Sequence, residues 1–103
     1  MTTAVDNPTL AAALETLRRH ASEWQAHKIR HVWIVGSVAR GDHWRDSDLD
    51  ILFEMERPFS LFDAGGAWSY FESLFGSGID VLEKSCIRPE IRQSVLEDAV
   101  LAA

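Results

Sequence analysis

The stretch that decides the fold reads His31-Val32-Trp33-Ile34-Val35-Gly36-Ser37-Val38-Ala39-Arg40-Gly41 and continues through a polar segment to Ser47-Asp48-Leu49-Asp50-Ile51. Residues 31–35 are mostly β-branched and aromatic, too few for a helix and stopped by Gly36, so they predict a largely buried strand. Residues 37–40 predict a short helix, and residues 42–47 predict a loop. A second strand is expected over residues 49–55, ended by Pro58. A glycine-serine turn thus leaves one strand, and a pair of aspartates begins the next.

The paired aspartates predict a metal site. Because alternate residues of a strand point to the same side, Asp48 and Asp50 present both carboxylates on one face while Leu49 and Ile51 point into the core. Two carboxylates so close repel each other unless a cation lies between them, and Mg²⁺ prefers oxygen ligands. If the third strand lies beside the second, Asp80 completes a cluster able to hold two metal ions about 4 Å apart. This pattern favours metal-assisted displacement at phosphorus.

The glycine-serine turn predicts a phosphate-binding loop. Gly36 lets the backbone come close to a phosphate, and Ser37 offers a hydroxyl donor. The N–H groups that follow open a helix whose positive end favours an anion. Arg40 adds a charged donor for a triphosphate, and Gly41 lets the chain turn back toward the second strand.

Other segments complete the predicted order α-β-α-β-α-β-α. A first helix is expected from Asn7-Pro8 to about His27. A later helix is predicted from the capping box at residues 60–63, and a start after Gly65-Gly66 stays open because glycine weakens a helix. A third strand is predicted over residues 79–82, and Pro89 opens a last helix on which Ile91, Val95 and Ala99 share a face. The fold class is α/β (α+β), a small mixed sheet with packed helices.

A length of 103 residues is typical of a single domain, so we expect one domain over residues 1–103. A net charge of −6 argues against affinity for the nucleic-acid backbone, which needs clustered Lys and Arg. No signal peptide or membrane span is predicted, and the lone Cys86 fits a reducing compartment, so we expect a cytoplasmic protein. Trp33 and Trp68 are predicted to be core residues, and Glu83 a surface charge.

Gly-Ser, ten residues, then Asp-x-Asp resembles the signature of the DNA polymerase β-like nucleotidyltransferase superfamily. The short chain, with Gly-Ser-x-Ala-Arg-Gly followed by Ser-Asp-Leu-Asp, is similar to the minimal nucleotidyltransferases, the antitoxin partners of HEPN-domain toxins. The resemblance covers about residues 32–82 and implies a nucleotidyltransferase fold. It implies that Gly36 and Ser37 bind the triphosphate of ATP. It also implies that Asp48, Asp50 and Asp80 are catalytic and hold two Mg²⁺ ions.

By the same resemblance, the chain transfers AMP from ATP to a tyrosine of the toxin near its RNase site. Arg40 matches a position that is commonly basic in these proteins. A hetero-oligomer with the toxin is expected, because a chain of this size with an open nucleotide cleft needs a partner to complete its site. Two alternatives stay open: an antitoxin that neutralises its toxin by binding alone, and a nucleotidyltransferase that acts on a small molecule or an RNA end.

Overall fold

The computed structural model describes residues 9–41, 49–76 and 78–103. The strands are β1 (Ile29–Val35), β2 (Leu49–Met55), β3 (Ile79–Glu83) and β4 (Val100–Leu101). The helices are α1 (Leu10–Arg19), α2 (Ala21–Gln25), α3 (Gly36–Ala39), α4 (Leu61–Phe75) and α5 (Pro89–Glu97), and a 3₁₀ turn spans Lys84–Cys86. The predicted small mixed sheet with packed helices is confirmed, and β2 begins and ends where the sequence placed it.

The four strands form one sheet in the order β3-β2-β1-β4. β1 runs antiparallel to both β2 and β4, whereas β2 and β3 are parallel. A parallel pair needs a crossover, and α4 supplies it between β2 and β3. Strand β3 is therefore an edge of the sheet and lies directly beside β2, as the sequence required for Asp80 to approach Asp50.

One side of the sheet, called here the packed face, carries the core beneath α1, α2 and α4. Its buried apolar strand residues are Ile29, Val32, Ile34, Leu49, Ile51, Phe53, Met55, Ile79 and Val81. The helices meet them with Leu17, Trp24 and Phe71, each fully buried. Burying these side chains is the main favourable contribution to the stability of this domain.

The opposite side of the sheet is called here the site face, and the strand registers set which of its residues are neighbours. One row across it pairs Val35 with Asp50 and Asp50 with Asp80, and the next row pairs Leu52 with Leu82. Helix α5 follows β3 and the 3₁₀ turn, and none of its residues is buried. In the described ranges, no helix is both long enough and apolar enough to cross a bilayer.

The prediction of one continuous first helix is wrong. The chain forms two helices with His20 between them, whose backbone N–H donates to Thr16 O and whose Nδ1 lies 2.8 Å from the same oxygen. The described N-cap is Thr9, whose hydroxyl accepts from Ala12 N at 3.2 Å. Asn7-Pro8, the predicted cap, lies outside the described residues.

Of the two starts predicted for α4, the one at the capping box is correct and the one after the glycine pair is wrong. The helix begins at Leu61, and Ser60 and Asp63 form the full capping box, each side chain accepting from the other's backbone N–H. The box satisfies two N–H groups that otherwise lack helical partners, and this outweighs the weak helix propensity of Gly65 and Gly66.

Three further expectations are corrected. Trp68 is 44% exposed because the buried stripe of α4 runs through Ala67 and Phe71 instead. Glu83 is only 6% exposed, since its carboxylate accepts from Met55 N at 3.0 Å and Ser85 N at 2.8 Å where β3 ends. Helix α5 ends at Glu97, so Ala99 leaves the predicted helical face and precedes β4, which the sequence did not predict.

Candidate active site

Asp50 and Asp80 occupy neighbouring strands at the same level of the sheet. They are paired in the β2–β3 register, so their side chains project side by side from the site face. Asp50 is half-buried and Asp80 is exposed. The parallel register thus brings together two carboxylates that are widely separated in the sequence.

Gly36 approaches Asp50 so closely that no side chain fits between them. Its φ of 73° lies in the left-handed region, which residues with a Cβ rarely adopt. A Cβ built on Gly36 would overlap Oδ2 of Asp50 and lie 3.2 Å from its Cγ. The glycine bend therefore lies on the same side of the sheet as the carboxylate, and both conformation and contact require glycine.

Arg40 forms an ion pair that the sequence did not indicate. Its Nη1 lies 2.9 Å from Oδ2 of Asp98, the residue at the C-terminal end of α5. Both side chains are partly exposed, so solvent screens the pair and its contribution to stability is small. No local pattern predicts this contact, because 58 positions separate the two residues.

A cavity of about 520 Å³ lies between α5 and the site face. Its charged lining residues are Arg40, Asp50, Asp80 and Asp98. Its apolar lining residues are Val35, Leu82 and Val95, together with Ile51 and Val81, whose side chains lie on the packed face. The volume is typical of a small-ligand pocket, and such pockets combine an apolar wall with a few charged groups. Gly36 also lines it, whereas Ser37, at the start of the one-turn helix α3, is not among its described lining residues.

Two of the three carboxylates predicted to bind metal, Asp50 and Asp80, lie in the described ranges. Within ranges 9–41, 49–76 and 78–103, no three His, Cys, Asp or Glu side chains are grouped to bind a metal. Asp48, the third predicted carboxylate, lies outside those ranges. Asp50 and Asp80 are oxygen donors, the chemistry that Mg²⁺ prefers.

The sequence of this chain is similar to those of known nucleotidyltransferases. A family model described as Nucleotidyltransferase domain matches residues 14–102. Protein adenylyltransferase MntA of Thermococcus cleftensis is 33% identical over 96 residues, spanning 85% of this chain and 97% of that protein. A Methanocaldococcus jannaschii protein named "Putative protein adenylyltransferase MJ0126" is 32% identical over 94 residues, spanning 89% of this chain and 96% of that protein.

The fold comparison gives the same result. A solved structure described as "Structure of putative minimal nucleotidyltransferase" superposes with a TM-score of 0.69 at 35% identity, covering 84% of this chain and 93% of that one. The predicted nucleotidyltransferase fold is thereby confirmed. This chain belongs to the nucleotidyltransferase domain family and is an enzyme of that family.

Proposed function

We propose that this chain is a cytoplasmic antitoxin that transfers AMP from ATP to a tyrosine of a HEPN-domain toxin and so silences it. The observation that carries the proposal is the placement of Gly36, Asp50 and Asp80 around one cavity on the site face. The names of the relatives, protein adenylyltransferases, support AMP as the transferred group and a protein as its acceptor.

The metal-binding role is assigned to the carboxylates. Asp50 and Asp80 would hold two Mg²⁺ ions together with Asp48. Bound there, the ions supply charge neutralisation at the triphosphate and acidify the attacking hydroxyl. The half-buried carboxylate of Asp50 is kept in place by the backbone of Gly36 packed against it, so this donor is oriented before the nucleotide arrives.

The reaction is a displacement at the α-phosphorus of ATP. The tyrosine hydroxyl oxygen forms a bond to that phosphorus while the bond to the oxygen bridging the α- and β-phosphates breaks. Pyrophosphate leaves with the electron pair, and the hydroxyl proton passes to solvent. We assign the β- and γ-phosphates to the backbone of Gly36 and Ser37 and to the remaining donors of the Arg40 guanidinium.

The tyrosine must come from another molecule. Tyr70 is the only tyrosine of this chain and lies on α4, which covers the packed face rather than the site face. Its hydroxyl donates to Glu23 Oε1 at 3.0 Å, and partial burial together with this carboxylate raises the pKa of Tyr70. A hydroxyl so placed neither reaches the cavity nor ionises readily. These facts support a partner protein, and hence a hetero-oligomer, as the source of the acceptor.

The test is transfer of label from α-labelled ATP to the purified toxin in the presence of Mg²⁺. Wild type and the Tyr70→Phe variant should label the toxin equally, whereas Asp50→Asn should not. Glu54→Gln is the matched control, because Glu54 lies on the same strand and face as Asp50, four residues on. Equal labelling by Asp50→Asn and wild type would contradict the proposed site. Full silencing of the toxin without any label would instead favour neutralisation by binding.

A further inference from the structure

Helix α5 lies over the cavity without burying an apolar stripe. A helix at the surface of a globular domain normally packs one apolar side onto the core. In α5 no residue is buried, and Val95, which lines the cavity, is only half-buried. The space beneath this part of the helix is therefore open to a ligand.

The opposite wall of the cavity comes from β3. Asp80 and Leu82 project from the same side of this strand, about 7 Å apart along it. Leu82 is 36% exposed, whereas its neighbour Leu52 in the same row of the site face is fully buried. The apolar side chain of Leu82 thus borders the cavity two residues beyond the carboxylate of Asp80. Their separation is similar to that between the α-phosphate and the base of a nucleotide.

We infer that Leu82 and Val95 provide the apolar surfaces, one on each side of the cavity, between which the base of the nucleotide packs. The inference rests on the proposed function, since it locates the nucleoside of ATP in the same cavity. Arg40, Asp50 and Asp80 are suited to phosphates and metal ions, which leaves the apolar lining for the flat, weakly hydrated base. Among the described lining residues, Ser94 is the one with a hydroxyl, and it already donates to Ile91 O at 3.0 Å. Leu82 and Val95 therefore bind the base by contact area rather than by hydrogen bonds.

The inference is tested by comparing two ligands that differ in the nucleoside. Isothermal titration calorimetry with Mg²⁺ and no toxin measures the Kd of ATP and of inorganic tripolyphosphate. Leu82→Ala and Val95→Ala should each weaken ATP about 3- to 10-fold, because each removes apolar contact with the base. Both should leave tripolyphosphate within about twofold of wild type, as should Ile91→Ala for both ligands. Ile91 is the matched control, lying one turn before Val95 on α5 but outside the cavity lining.

A substitution that fills the cavity gives a second test, which does not depend on removing side-chain volume. Val95→Phe occupies space beneath α5, so ATP should weaken by more than about 10-fold while tripolyphosphate still binds. Equal losses for the two ligands, unchanged ATP affinity in all three variants, or no binding of ATP to wild type would overturn the inference. Normal ATP binding without labelling of the toxin contradicts only the proposed function, and normal labelling with unchanged ATP affinity in the variants contradicts only the inference.

Discussion

The two faces of the sheet are built from the same strands but differ in their packing. On the packed face, Phe53 and Phe71 are almost fully buried, with ring centroids 5.6 Å apart. On the site face, Asp80 and Leu82 stay exposed beside a cavity, and the helix above them buries none of its residues. Alternation along each strand separates the two environments by a single residue. Stability and ligand binding are thus assigned to opposite sides of one thin sheet.

Because of this division, a substitution on one face should change one property, either stability or ligand binding, and leave the other unchanged. A residue of the packed face should change the free energy of unfolding and leave the chemistry of the folded protein intact. An exposed residue of the site face should do the reverse. Gly36 is the position where both effects should meet, because its backbone conformation and its contact with Asp50 are both constrained.

The largest expected effect is on the packed face. Phe71→Ala should lower the free energy of unfolding by about 4 kcal/mol, because it removes a fully buried ring and leaves a cavity. Urea denaturation measures the change, and ATP affinity measured well below the midpoint should equal that of wild type. A loss of ATP affinity in the folded protein would contradict the separation of the two faces.

The next effect is on the site face. Asp80→Asn should slow transfer of label by at least about 100-fold, equivalent to about 2.7 kcal/mol, because it removes a carboxylate assigned to the metal ions. Asp80 is exposed, so the free energy of unfolding should change by no more than about 0.5 kcal/mol. Glu72→Gln, an exposed carboxylate on α4, is the control for loss of one charge. Retention of activity would exclude Asp80 from the site.

Gly36→Ala should lower both quantities. The left-handed φ and the overlap with Asp50 should cost about 2 kcal/mol of unfolding free energy, and displacement of the carboxylate should slow transfer of label. Gly41→Ala is the matched comparison, since its φ of 111° is also left-handed but a Cβ there meets no atom of the described residues within 4 Å. If both variants retain equal activity, the close contact between Gly36 and Asp50 has no functional role.

The smallest effect should be a gain in stability. Gly65→Ala should raise the free energy of unfolding by about 0.8 kcal/mol, because Gly65 lies inside a helix and a Cβ there has open space. Gly76→Ala should instead lower it by about 1 kcal/mol, since its φ is 96° in equally open space. Thermal unfolding of the two variants gives the comparison, with transfer of label unchanged in both. Destabilisation by Gly65→Ala would indicate a constraint on α4 that this fold does not explain.

Local patterns were enough to predict much of this molecule. The bounds of β2, the capping box at Ser60 and Asp63, and the order of the main elements follow from periodicity and turn residues. The adjacency of β2 and β3, assumed for Asp80 in the sequence, is present in the sheet. The triphosphate and metal roles of the predicted site residues stay predictions.

Other features depend on contacts that local patterns do not contain. The Arg40–Asp98 pair joins two distant segments, and the burial of Glu83 depends on backbone N–H groups available only where β3 ends. Trp68 was misplaced because helical periodicity allows either residue 67 or residue 68 to share a side with residue 71. β4 has two residues, too few for any periodic signal.

Because β3 is the outermost of the described strands on its side of the sheet, its backbone edge can pair with a strand of a second molecule. The strand has only five residues, and the exposed carboxylate of Asp80 opposes such edge-to-edge association. Asp80, a carboxylate proposed to bind metal, thus also opposes aggregation through this edge. Variants that neutralise Asp80 should associate more readily through the edge of β3, so they should be assayed at low protein concentration.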